Sequence, residues 1–284
     1  MLGGMSTWEN ATLSGIPERA GSGENQSREF VRQRVLDTAL EYISHSGLTV
    51  GLGHLSYDEV ILAAKVPRTT VYRVWPRKER FLEDLLRRLA EVTHPCMGSL
   101  DDETFSMIVS TLKENCDDLM TLEGRWALLV EVTRITGEHW IGGAQPTPAW
   151  RTYVALIATM SSMGSVALYN EIRSTMLAVE DQVAEKVAGM YLTLLALLGY
   201  RVRGTDVMDL VHIGASAVMG ALLISEVRPG MVTQLGGIDP YGTGRNANWS
   251  PSSMAYTNAI VATLEPDPDY DAQVALAELA QITR

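Results

Sequence analysis

Between positions 65 and 80 the chain sets Lys65, Arg68, Arg73, Arg77, Lys78 and Arg80 against a single acid, Glu79. Inside that stretch Arg68, Thr69, Thr70, Tyr72 and Arg73 crowd together, and every one carries a hydrogen-bond donor. Donors at this spacing on one short helix suit a polyanion that also offers directed acceptors. Duplex DNA is such a partner, with phosphates for charge and base edges for choice. The competing reading is a solvated cationic helix face. A second set is chemically different. Trp126, Trp140, Trp150, Tyr153, Met160 and Met163 are bulky, apolar and adaptable, the types that line a pocket for a hydrophobic small molecule. Arg125, Glu131, Arg134 and His139 are polar groups able to orient one. Against this stands the plain reading that such aromatics fill a core.

Chemistry of other kinds finds little support. Phosphate-cradling glycine loops, a G-x-S-x-G elbow and an H-E-x-x-H pair are all missing, and Tyr241-Gly-Thr-Gly244 has no helix pattern directly after it. His45, His54, His94, His139 and His212 are scattered. His94-Pro95-Cys96 offers two ligand types, which do not make a metal site. His212, alone on an apolar helix, reads as a core histidine. Cys96 and Cys116 cannot build a disulfide framework. The expectation is therefore no enzyme, no metal and no cofactor.

Charge divides the chain. Residues 1–95 hold 12 Lys/Arg and 12 Asp/Glu, whereas residues 96–284 hold 11 and 22, so the whole net charge of −11 lies in the second part. A compact basic patch on an otherwise acidic protein is an electrostatic footprint for a polyanion. The longest uncharged apolar stretches, Val187–Tyr200 and Leu210–Ser225, run 14 and 16 residues. A membrane span wants roughly 20. With no signal-peptide pattern at the start, a cytoplasmic protein without a membrane span is expected.

The elements that must position these groups are helical. Residues 1–27 are polar, glycine-rich and aperiodic, and read as a disordered arm. Over 28–46, Val31, Val35, Ala39 and Ile43 share a face, and Gly47 is placed to end the helix. Ser56-Tyr57-Asp58-Glu59 is a capping box opening a short helix. A tight turn at Lys65-Val66 comes next, then a helix of about two turns led by Pro67 and stopped by Pro76. Phe81, Leu82, Leu85, Leu86 and Leu89 line a helix over 77–93. Beyond it the pattern predicts helices near 105–119 and 124–135, a long one over 148–178, then 180–198, 205–227, 252–264 and 270–282. No strand pattern stands out. The fold class expected is all-α: an N-terminal three-helix domain containing a helix-turn-helix, 28–93, and a larger helical domain, 94–284.

A short capped helix, a tight turn and a second short helix form a helix-turn-helix, whose second helix can enter a major groove. Arg68, Thr69 and Arg73 are assigned to the groove, Tyr72 and Lys78 to phosphate, and Thr70 to either. The segment SYDEVILAAKVPRTTVYRVWPRKERF, Ser56–Phe81, resembles the helix-turn-helix of TetR/AcrR-type transcriptional regulators. The resemblance rests on Ala63-Ala64, Val66, Thr70-Val71-Tyr72, the aromatic Trp75, Pro76 and Lys78-Glu79, and covers roughly 28–93. Lys65 stands where that family usually has Gly, and Pro67 where it usually has a Ser cap. The connection between the first two helices is also a few residues longer.

The resemblance implies a DNA-binding head, a C-terminal domain that takes a small-molecule effector, and a homodimer. Helices 180–198 and 205–227, rich in small residues, are the expected interface; their competing reading is central core. The function implied is a ligand-responsive dimeric regulator, a repressor released from a double-stranded operator by a hydrophobic molecule. The alternative is an all-helical ligand-binding or interaction protein without specific DNA binding.

Overall fold

The structure is a computed structural model that describes residues 20–46, 55–93, 102–142 and 148–282. It is all-α, with eleven α-helices among the described residues. The helices are α1 (Ala20–Ser46), α2 (Tyr57–Ala63), α3 (Arg68–Val74), α4 (Lys78–Val92), α5 (Asp102–Glu114), α6 (Leu122–Gly137), α7 (Pro148–Met160), α8 (Val166–Leu198), α9 (Val207–Ser225), α10 (Pro251–Val261) and α11 (Ala272–Gln281). Two compact units emerge, one within Met1–Glu41 and His54–Leu85, the other within Tyr42–Gly53 and Leu86–Arg284. The boundary falls inside the first and fourth helices rather than after them. Helix α1 starts at Ala20, so residues 20–27 are helical where an irregular arm was expected. The rest of that arm, like His54 and His94-Pro95-Cys96, lies outside the described residues.

In the first unit the apolar stripe of α1 is buried as its spacing predicts: Val31, Val35 and Ala39 pack inward. Val60 and Ile61 of α2, Val71 of α3, and Phe81 and Leu85 of α4 are buried in the same unit.

In the second unit, side-chain caps set where helices begin. Thr121 accepts from the Gly124 amide at the start of α6, Ser165 from Leu168 at α8, and Asp206 from Asp209 at α9. Ser250 and Ser253 form a complete capping box on α10, and Asp271 caps α11. Gly199 ends α8 in a left-handed conformation, φ 68°. The core is one cluster drawn from α5 to α11, with Leu128, Leu197, Leu198, Leu210, Tyr256 and Ile260 among its most buried members.

Two expectations need correction. The long helix predicted over 148–178 is broken near its middle, while the break expected before 180 is absent. Helix α7 ends at Met160, and the next cap, Ser165, launches an unbroken 33-residue α8. The cause is local. Ser161-Ser162-Met163-Gly164-Ser165 is a run of mostly small polar residues and glycine, whereas Ala178-Val179-Glu180 contains no breaker. Strands also occur. β1 (Tyr200–Val202) pairs antiparallel with β4 (Leu264–Pro266), and β2 (Leu235–Ile238) with β3 (Ala247–Trp249). Runs of three or four residues are too short to show alternation.

Helix α9 is long and apolar enough to cross a membrane by length and composition. Here it packs on α8 and α10, burying Leu210, Val211, Gly214, Val218, Ala221 and Leu222.

Candidate functional site

The helix-turn-helix is held from within by aromatic rings and from one side by arginines of α1. Ser56 accepts from the Glu59 amide (3.4 Å) to start α2. Helix α2 ends at Ala63, and Lys65 then takes φ 56°, the left-handed conformation that the tight turn demands. Pro67 begins α3 without a side-chain cap, so the helix starts on backbone bonds alone, Thr70 and Val71 donating to its carbonyl.

Two side chains face inward to fix α3. Val71 is fully buried and Trp75 is 2% exposed. The Trp75 indole donates to Asp84 Oδ2 (2.7 Å), which also pairs with Arg32 (3.1 Å). Phe81 lies 5.4 Å from the Trp75 ring and 4.8 Å from Tyr57, whose hydroxyl reaches the Trp75 carbonyl at 3.4 Å. Burial, with Tyr72 and Asp58 nearby, pushes the Tyr57 phenol up to about 12. Arg28 donates to the carbonyl of Arg73 (3.1 Å) and Arg34 to that of Ala64 (2.8 Å), closing the ends of α3 and α2. These α1 arginines therefore serve the scaffold.

The outward residues of α3 are those singled out by type. Arg68, Thr69, Tyr72 and Arg73 are exposed, while Thr70 and Lys78 are half-buried. Thr69 with Arg73, and Arg68 with Tyr72, stand one turn apart and share a face. Tyr72 is 44% exposed, and its ring meets Tyr57 edge-on at 5.9 Å. Arg68 rests on Asp58 (3.3 Å) in an exposed pair. Such a pair contributes only about 0–1 kcal/mol, so it holds the guanidinium only weakly. The Arg73 guanidinium has no acceptor among the described residues, and its backbone is already fixed through Arg28.

The second unit contains a cavity of about 330 Å³ bounded by α7, α8, α9 and Trp140. Of the six residues expected to hold a ligand, Trp140 and Tyr153 line it, and Trp126, Trp150, Met160 and Met163 do not. Trp126 instead donates to the Tyr241 carbonyl (3.2 Å), pinning the loop there, and Trp150 belongs to the core. Met160 ends α7 and Met163 falls in the turn beyond it. The expected polar groups are engaged elsewhere as well. Arg134 forms a two-pronged pair with Glu131 (2.6 and 2.7 Å), and Arg125 stacks over the Tyr270 ring at 4.3 Å.

The polar groups actually present are Tyr153, Glu180, Tyr191, His212, Ser216 and the Trp140 indole, whose buried Nε1 has no hydrogen-bond partner among the described residues. The Tyr153 hydroxyl donates to Glu180 Oε1. Burial first, and the Glu180 carboxylate second, raise the Tyr153 phenol well above its ordinary range, so it remains a donor. The Tyr191 and Tyr256 hydroxyls share a bond at 2.7 Å in the buried wall. His212 is exposed at the edge of the cavity and is not the core histidine expected. A sequence signal did exist for these groups. His212 and Ser216 are spaced four apart on an otherwise apolar helix, and Glu180, Val183, Ala184, Val187 and Tyr191 form one helical stripe.

No family model and no curated protein matches the chain. Among solved structures it is similar to RolR in complex with resorcinol, at 12% identity and a TM-score of 0.34, over 92% of this chain and 98% of that one.

Proposed function

We propose that the protein is a dimeric, DNA-binding transcriptional regulator, a cytoplasmic repressor released from its operator when a small molecule fills the α7–α8–α9 cavity. One observation carries the reading. Helix α3 is anchored by Val71 and Trp75 and presents Arg68, Thr69, Tyr72 and Arg73 to solvent on its opposite side. A helix held this way can lie in a major groove with its donors toward bases and phosphates. The resemblance of Ser56–Phe81 to TetR/AcrR-type regulators supports it. So does the confinement of the net negative charge to residues 96–284, which steers duplex contact away from that region.

A dimer doubles the contacts of one short recognition helix and matches a two-fold operator. Helices α8 and α9 supply a surface for it. Gly189, Leu192 and Ala196 on α8, and Leu223 and Val227 at and just beyond the end of α9, are exposed. A Cβ added at Gly189 or Gly220 would meet nothing within 4 Å.

The test is fluorescence anisotropy with a duplex from upstream of the protein's own coding sequence, repeated across salt concentrations. Binding should be tight and fall steeply with salt. Tyr72→Ala and Arg73→Ala should each weaken it by about 1–3 kcal/mol; Arg73→Ala should leave the melting temperature unchanged, whereas Tyr72→Ala should lower it slightly through the lost edge contact with Tyr57. Affinity indifferent to both changes would place the DNA surface elsewhere.

A further inference from the structure

The cavity sorts ligands by charge, and we propose that it takes an organic cation: a compact aromatic body bearing a protonated amine. This rests on the reading of the cavity as the effector site and adds the chemical class of the effector.

Most of the cavity wall is apolar, from Ile157, Val183, Val187, Val211, Val218 and Met219. Glu180 is its one acidic residue, and neither Lys nor Arg is among the lining residues. Tyr153 satisfies Oε1 of Glu180, while Oε2 has no partner among the described residues.

An uncharged occupant would strip water from that carboxylate and return nothing, which costs free energy. An anion would meet repulsion and no fixed cation. An ammonium placed at Oε2 replaces the lost water with a charge-assisted hydrogen bond. The rings of Trp140, Tyr153 and Tyr191 also border the space, and aromatic faces favour a cation beside them. His212 and Ser216 add hydrogen-bonding groups at the α9 side. The size, about 330 Å³, lies at the lower end of small-molecule sites and calls for a compact body.

Three probes of nearly one shape separate charge from fit: naphthylmethylamine, naphthylmethanol and naphthoate, titrated calorimetrically into the full chain at neutral pH. The amine should bind roughly tenfold tighter than the alcohol, and naphthoate weakest. Glu180→Gln, which keeps an acceptor for Tyr153, should bring the amine down to the affinity of the alcohol and leave the alcohol within about twofold. Ala215→Leu, which narrows the cavity from α9, should abolish binding of both, with circular dichroism showing the fold retained.

Naphthoate binding as well as the amine, an amine affinity indifferent to Glu180→Gln, binding that survives Ala215→Leu, or no binding by any probe would each overturn the proposal. A charge-dependent amine site in a protein that ignores DNA would uphold the proposal and overturn only the regulator reading.

Discussion

Trp75 shows how one side chain can set the geometry of a surface it never reaches. Its ring packs on Phe81, and its indole nitrogen joins Asp84 and, through it, Arg32. Hydrogen bonds to charged groups contribute about 1.5–3 kcal/mol. Trp75→Phe should therefore lower stability by about 2 kcal/mol in chemical denaturation, and should weaken DNA binding although the residue is buried. Lys65 is the reverse case. A side chain at φ 56° costs about 1–2 kcal/mol, and glycine's extra freedom when unfolded returns part of that. Lys65→Gly should raise stability by about 0.5–1 kcal/mol, read as a higher melting temperature. The buried Tyr191–Tyr256 pair makes stability depend on pH. Burial pushes the Tyr191 phenol from 10.0 up to about 12. The folded chain then keeps a proton that the unfolded chain has released. This contribution is fully present below pH 10 and is lost as pH rises toward 12. Denaturation midpoints should thus fall over that window, and less steeply in Tyr191→Phe. The outward side of α3 was legible because exposed donors alternate with two obligatory anchors, Val71 and Trp75. Glu180 was legible only in part: its place on the α8 stripe shows in the spacing, but only the packing of α7 against α8 brings its carboxylate to Tyr153.

Elements were legible wherever a local signal defined their ends. Ser56, Pro67 and Pro76 bracket α2 and α3, and Gly199 stops α8 where its residue type says it should. The failures came where composition outweighed punctuation. A continuous apolar rhythm hid the break at Ser161–Ser165, and polar character near residue 20 hid the first turns of α1. Gly199 is fixed by two separate demands. Its φ of 68° disfavours a side chain, and an added Cβ would lie 2.6 Å from the Tyr270 ring and 2.9 Å from Arg125 Nε. Gly199→Ala should destabilise the second unit by about 2 kcal/mol or more, with the loss visible in thermal unfolding. Replacing Tyr270 by a smaller residue should recover part of it, since the two positions are in contact and their effects are not additive.

At the scale of the whole molecule, the separation of charge was readable by counting, whereas the short strands tying residues 264–266 to the end of α8 were not. The proposed dimer makes a prediction that distinguishes assembly from folding. Gly220 lies mid-helix with open space where a Cβ would project. Gly220→Leu should raise helix stability by about 1 kcal/mol, yet convert a dimer to a monomer in sedimentation and abolish operator binding. A dimer that tolerates leucine there would remove α9 from the interface. Helix α9 carries a further consequence, for biosynthesis. Its inner face is completed only when α10 arrives, for Gly214 sits against Tyr256 and Ile260. A nascent chain therefore shows the ribosome exit a greasy, span-length rod well before its cover is translated. Chains stopped short of residue 251 should be captured by chaperones or precipitate, because they lack the α10 cover that Tyr256 and Ile260 provide.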